Sequence, residues 1–473
     1  MEGAGRPWLD EAVVSRRFCL GRDLERHLSD LQSGEPSPSP AAIERVPRVA
    51  STRSARASVR VIEDPLEFDA LEEEWNALLD RSAVSVFQSF EWQRTWWKHF
   101  GEGRKNARLH IVTLRLEDEL VAVAPFYIDS VRSLGLLRLR RLLFVGHKDS
   151  DYLDILVSPG KERECVELIA AHLAERRELF DMALLEEITD RSPTGLLLQQ
   201  AFLEQGWAAS RFVDEQCPRT PLRRTWEETV AALPVNYRRE IRRRLRNIAK
   251  AYEVELELVP PGEQVEPAMR EFIDMHQERW IRDGHPGVFA DRRRAAFHCE
   301  VADRLSRRGW LFLAFLRADG QRCAANYGFS FREVLSTYLP GSRELGDLAK
   351  YSPGRVLHAK SMEWAIDDGK KIYDFMRGRE HYKYEFDATD VPNWSVVAYP
   401  HRRAMTAAKH RLDLVANAVR RRARREANAL LRTSRNEGWF SSALLKHLVG
   451  MVARGLTDVF ALLRRRTRET RRG

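Results

Sequence analysis

The sequence predicts an α/β protein with mixed sheets, made of two similar units and ending in a basic helical tail. Three observations carry this. Apolar runs joined by short polar turns form hairpins twice, Leu109–Arg115 with Leu120–Tyr127 and Leu311–Arg317 with Cys323–Ser330. Each hairpin is followed, after an interval, by a Ser-Pro-Gly turn (Ser158–Gly160, Ser352–Gly354), a helical segment and a short apolar strand (Asp181–Leu185, Tyr373–Met376). The copies stand about 200 residues apart in the same order, which reads as a duplicated α/β unit. Finally, His401 to Gly473 holds 19 Lys/Arg against 5 Asp/Glu, a balance of +14 within a chain of net +9, so the preceding residues carry −5.

At 473 residues the chain exceeds one ordinary domain, and its 44% hydrophobic content supports a real core. No run of 18 apolar residues occurs, so no spanning helix is expected. Asp10, Glu11, Arg16 and Arg17 interrupt any signal-peptide core, and a cytoplasmic location is expected. The five cysteines (Cys19, Cys165, Cys217, Cys299, Cys323) form no CxxC pair, which predicts reduced thiols and no metal site.

Four segments follow: a disordered extension over 1–58, a first unit over 59–215, a second over 216–400, and the basic tail over 401–473. Pro65–Leu79 has helical spacing. Phe87–Phe100 is an aromatic-rich helix that fits either core packing or a cofactor box. Leu233–Lys250 is a helix with seven Lys/Arg and one acid, Glu240; a solvated face and an anion-binding face both fit it. Met269–Ile281 is amphipathic, with His276 and Trp280 on one side. Gly146–Tyr152 brings Asp149, Asp151 and Tyr152 together, as a polar turn or as part of an acceptor cleft.

The chemistry concentrates in the second unit. The strand Glu333–Leu339 leads to a turn over Tyr351–Leu357 that opens a helix and then the strand Ile372–Gly378. A helix entrance offers unpaired N–H groups and the positive end of the helix dipole to an anion such as a pyrophosphate. Lys350, Ser352, Gly354 and Arg355, with Tyr338 on the preceding strand, are the candidate cofactor-binding residues.

Trp280 with Gly284–Phe289, the strand meander, Ser352–Gly354 and Asp374–Lys383 resemble the GNAT-superfamily N-acetyltransferases. Within them the chain is similar to the BioF2-like/CelD branch, named for its association with cellulose biosynthesis, and to the tandem-GNAT FemABX aminoacyltransferases. The resemblance covers about residues 60–400 and implies tandem GNAT-like (acyl-CoA N-acyltransferase) domains. It implies acetyl-CoA as co-substrate, no metal, and an amine acceptor on a sugar, envelope or exopolysaccharide component. The FemABX likeness implies aminoacyl-tRNA as the alternative donor, with the 238–250 helix as the RNA contact. A third reading is a degenerate accessory protein of exopolysaccharide production.

In this frame Glu380 is the base, Tyr382 the acid toward the leaving group, and Lys383 an electrostatic partner. Asp374, Arg377, Trp280 and Tyr152 line the substrate. The first unit shapes the acceptor side and the second holds the donor. One departure stands out: Lys350–Val356 keeps a single glycine, and Pro353 removes a donor N–H from the anion-binding turn.

In the tail, Ala443–Leu463 places apolar residues on one stripe closed by Arg464–Arg466. Residues 402–473 fit a helix on an anionic membrane surface, which would make the protein peripheral at the inner membrane. They also fit docking on the acidic body, or nucleic-acid binding.

Overall fold

Strand pairing between distant parts of the chain is what joins the two halves. The computed structural model describes residues 57–133, 137–282, 284–344 and 346–400; the expectations for 1–56 and for the tail lie outside them. In chain order the elements begin β1 (Ala57–Ile62), α1 (Pro65–Asp69), α2 (Glu72–Arg81), α3 (Phe90–Trp96), β2 (Ala107–Leu116), β3 (Glu119–Ser133) and β4 (Leu137–Phe144). Then come β5 (Leu156–Val157), α4 (Glu162–Glu175), β6 (Met182–Thr189), α5 (Thr194–Glu204) and the long β7 (Trp207–Pro221). The second half holds α6 (Trp226–Ala232), α7 (Val235–Ala251), β8 (Val254–Leu258), α8 (Val265–Arg282), α9 (Arg292–Arg307), β9 (Leu311–Ala318), β10 (Gln321–Phe331) and β11 (Val334–Ser342). It closes with α10 (Pro353–Asp367), β12 (Ile372–Asp374), α11 (His381–Tyr384) and β13 (Thr389–Pro400).

Among the described residues the strands form one mixed sheet in the order β1-β2-β3-β4-β6-β13-β7-β12-β11-β10-β9-β8, with β5 beside β3. The last strand, β13, is inserted between β6 and β7, while β7 pairs with β12 of the second half. Each half therefore lends a strand to the other, and the middle of the sheet belongs to both.

Alternation along the strands divides the core into layers. Ile111, Val123, Met182 and Leu184 join Leu313 and Phe315 on one face, under α2, α3, α8 and α9. Val112, Ala122, Ala183 and Leu185 face the other side with α4 and α5, as Phe312, Ala314 and Leu316 do with α10. The aromatic segment 87–100 is core: Trp92 meets Phe297 at 5.1 Å and Phe329 at 5.6 Å, edge to face. On α7 only Ile241 and Ile248 are fully buried, and Arg239, Arg242, Arg243, Arg246 and Lys250 are exposed. Among the described residues no helix is long and apolar enough to cross a membrane, and no group of three or more His, Cys, Asp or Glu could hold a metal ion.

Candidate active site

The donor-side geometry starts with β11 and β12. They run parallel and pair over Val334–Ser336 and Ile372–Asp374 only. Beyond Asp374 the chain leaves β11 and follows β7, with Phe375 N–H donating to Pro218 O at 3.0 Å and Gly378 N–H to Gln216 O at 3.1 Å. The register of β11 with β10 passes from Leu339 opposite Tyr327 to Thr337 opposite Gly328, so Tyr338 is the extra residue of a β-bulge. Gly328 is required opposite it, because a Cβ there would lie 1.9 Å from Ser336 O. Tyr338 turns its side chain into the aromatic core and donates its hydroxyl to Asp149 O at 2.7 Å.

The helix entrance lies next in sequence. Ser352 adopts a left-handed conformation (φ 54°), and Pro353 starts α10. Ser352 N–H is taken by Ala349 O at 3.0 Å, and the N–H groups of Arg355 and Val356 by Ser352 O at 2.9 and 3.3 Å. A side chain at Gly354 would meet nothing within 4 Å, so the approach to this turn is open. Arg355 grips Glu385 with two bonds of 2.9 and 3.0 Å, and Arg244 of α7 joins the same carboxylate at 2.9 Å. Lys350 is exposed, its ammonium 5.2 Å from the Tyr351 ring.

The loop after β12 explains the Gly-x-Glu-x-Tyr-Lys pattern. Lys383 is buried and donates to the carbonyls of Met376 (3.2 Å), Arg377 (2.9 Å) and Gly378 (2.9 Å), and pairs with Glu380 at 2.7 Å. An ammonium has three protons, so these partners saturate it. Gly378 (φ 106°) is needed because a Cβ there would sit 2.6 Å from Glu380 Oε2. Tyr382, partly buried, stacks on His358 of α10 with centroids 5.3 Å apart. Burial pushes the His358 imidazole down to about 3, so it is neutral and takes part in a 2.8 Å bond with Tyr373 Oη.

A second set of charges lies where the halves meet. Tyr152 Oη and Arg219 Nε both donate to Asp374 Oδ2 at 2.8 Å, and Asp374 Oδ1 accepts Met376 N–H at 2.8 Å. Arg377 donates through Nε to Asp151 Oδ1 at 2.7 Å, through its N–H to Asp151 Oδ2 at 3.0 Å, and through Nη1 to Glu187. Burial opposes the Arg377 charge, but Asp151 and Glu187 hold it firmly ionised. Met376 (φ 61°) and Glu187 (φ 68°) sit in the left-handed region, where a non-glycine residue is strained.

Tyr152, Asp374, Arg377, Glu380 and Lys383 are thus brought into one linked group around the 374–380 loop, and Tyr338 touches it through Asp149. Ser352, Gly354, Arg355 and Lys350 make a neighbouring group at the helix entrance. Trp280 stands apart on α8, its ring 5.8 Å from His276 and 5.7 Å from His285. Sequence reading missed Arg219, Arg244, Glu385 and Asp214 as partners. Asp214, Glu215, Gln216 and Arg219 on one long strand were the available signal, since a central strand seldom carries so many polar groups without a use.

The profile of the acetyltransferase (GNAT) domain matches residues 235–384. No curated protein matches the chain. Among solved structures the fold is similar to FemX, at 11% identity and a TM-score of 0.50, over 68% of this chain and 95% of that one. L-PGS from Bacillus licheniformis aligns at 11% identity and TM-score 0.45, over 73% and 96%. A tandem GNAT protein from the clavulanic acid biosynthesis pathway aligns at 10% and 0.37, over 72% and 98%. What these findings place in the chain is an acetyltransferase (GNAT) domain within a mixed α/β fold. Within the chain, residues 235–384, from α7 to α11, are the segment that carries the acetyltransferase domain.

Proposed function

We propose that the protein is an acyl-CoA-dependent N-acyltransferase of the BioF2-like/CelD kind, taking acetyl-CoA as donor and an amine of a sugar, envelope or exopolysaccharide component as acceptor. The observation that carries this reading is the parallel β11–β12 pair that ends after three residues, with a bulge at Tyr338 and the open turn at Gly354 beside it. Such an opening suits a pantetheine arm. Its thioester carbonyl would then lie near bulged backbone N–H groups able to polarise it. The amine nitrogen bonds to the carbonyl carbon and passes its proton to a neighbouring carboxylate, the C–S bond breaks, and the thiolate takes a proton. Tyr382, beside α10, is the candidate for that proton. Glu380 and Lys383 act as positioning residues, since each satisfies the other and together they hold the 376–378 carbonyls. Asp374, Arg377 and Tyr152 line the side facing the acceptor, and in this reading 59–215 shapes the acceptor cleft while 216–400 holds the donor.

The second reading, an aminoacyl-tRNA donor, is favoured by one feature. The exposed cations of α7 lie on a helix that packs against α10, so a polyanion reaching the helix entrance would meet them. A cytoplasmic protein held at the inner membrane surface fits the basic 402–473 segment. Calorimetry separates the donors: acetyl-CoA binding with no effect of charged tRNA is expected, and binding of charged tRNA alone overturns the main reading.

A further inference from the structure

Around β13 the sheet is broken on both sides at one level. Toward β6, Trp394 faces Ile188 and Val396 faces Leu185, so Glu186 and Glu187 together oppose the single residue Ser395. Toward β7, Asn393 faces Glu215 and Trp394 faces Val213, which leaves Asp214 as the extra residue. Successive residues of a regular strand point to opposite faces. The bulge, with Glu187 at φ 68°, brings both neighbouring carboxylates within electrostatic reach of Arg377. Asp214 reaches the same place, accepting a bond from Ser395 Oγ at 3.0 Å. Paired bulges on the two strands flanking β13, each displaying an acid, are the kind of device found beside active sites.

The charges do not balance. Glu186, Glu187, Asp214 and Asp151 face one half-buried cation, Arg377. Arg141 of β4 is committed to Asp129 by two bonds, of 2.9 and 2.6 Å. His147 lies 3.2 Å from Glu186 but is kept neutral by burial and by Lys148, Arg141 and Arg377. Lys148 is exposed, and Glu215 adds a further acid that acts on Arg377. Burial pushes Glu186 up to about 8 and raises Glu187 and Asp214 as well. Two buried acceptors also lack a donor: Glu187 Oε2, in a residue 6% exposed, and Asn393 Oδ1, in a residue 0% exposed. Asn393 belongs to the same spot, its amide donating to Asp151 O at 2.6 Å. Glu186 keeps 26% of its side chain exposed, which gives the group a mouth.

We infer that the double bulge flanking Ser395 is a pocket for a primary ammonium, held by Glu186, Glu187 and Asp214, and that Glu186 is the base that deprotonates it. Surplus carboxylate and orphaned acceptors call for a cation that also donates hydrogen bonds, which an ammonium is and a metal ion is not. The proposal rests on the transferase reading for its second half only. There, Glu186 takes a proton from the bound ammonium, and the nitrogen lone pair forms the C–N bond to the thioester carbonyl as C–S breaks. Arg377 joins this pocket to the donor side, through Asp151 and the 376–378 loop.

The test uses the full chain and two probes of matching shape, n-butylammonium and n-butanol, at equal ionic strength. Calorimetry in two buffers of different ionisation enthalpy at neutral pH should show the ammonium binding roughly tenfold tighter or better, with release of protons from the carboxyl group. Glu186→Gln should lose that preference and the proton release while keeping acetyl-CoA affinity; Glu186→Asp should retain both in part. Asp214→Asn, with its thermal midpoint recorded, supplies a second variant if the first fails to fold. Equal binding of the two probes, or an unaltered Gln variant, overturns the pocket. Absence of acetyl-CoA binding, with the ammonium preference intact, overturns the donor assignment and leaves the pocket standing.

Discussion

Tyr152 donates its hydroxyl to Asp374 at 2.8 Å, a bond between residues 222 positions apart that fastens the first half of the chain to the end of β12. Both side chains are buried, at 4% and 2% exposure, and Arg219 completes the carboxylate's shell. The Gly146–Tyr152 turn and the end of β12 are thereby fastened together.

Removing the hydroxyl leaves Asp374 one donor short. Tyr152→Phe should lose about 1.5–3 kcal/mol, the usual worth of a hydrogen bond to a charged group. Asp374→Ala should lose more, about 3–5 kcal/mol, because buried Arg219 loses this partner and keeps only Asp190, at 3.2 Å. Urea unfolding measures both; a Phe variant as stable as the parent contradicts the bond.

Lys383 and Glu380 form a buried ion pair whose cation also holds three carbonyls. Lys383→Met should therefore destabilise by about 3–5 kcal/mol, leaving Glu380 uncompensated. Adding Glu380→Gln should recover a good part of that loss. If the single variant keeps its stability and only turnover falls, Lys383 acts on the reaction directly.

Opposite the β11 bulge, Gly328→Ala places a methyl 1.9 Å from Ser336 O before relaxation. Overpacking of this kind costs about 1–3 kcal/mol, and the strand must shift where the thioester carbonyl is proposed to lie. Both the melting temperature and acetyl-CoA affinity should fall. Unchanged affinity would detach the bulge from donor binding.

Gly354 offers the converse case. Its open surroundings predict that Gly354→Ala folds at least as well, with a gain of up to about 1 kcal/mol from helix propensity. Gly354→Trp should fold equally but bind acetyl-CoA poorly, since the indole would cover the turn. Calorimetry on the two variants decides it.

The pH dependence of stability has a definite sign at Glu186. Its folded pKa of about 8 lies above the ordinary 4.5, so the folded state favours the proton. Below 4.5 both states hold it and Glu186 has no effect; as pH rises toward 8 its contribution becomes increasingly unfavourable, and above 8 that penalty is complete. The stability of Glu186→Gln relative to the parent should consequently rise from pH 4 to pH 9. Chemical denaturation at the two ends checks this, and a constant difference would place Glu186 in water.

Local pattern determined a good deal. The strand runs, the helix entrance at Ser352–Gly354 and the Gly378–Lys383 motif are readable because periodicity and turn chemistry act over a few residues. The mixed sheet and the acetyltransferase (GNAT) domain over 235–384 were legible for that reason. Tertiary structure decided which charges meet. Nothing near Lys383 in sequence shows that its ammonium is spent on the carbonyls of 376–378, nor that Arg355 is held by Glu385 and Arg244. The carboxylates at 186, 187 and 214 act on one another only because β13 enters between β6 and β7 and both of those strands bulge beside it. Strand register is a long-range choice made by packing, and it alone sets which faces the side chains occupy.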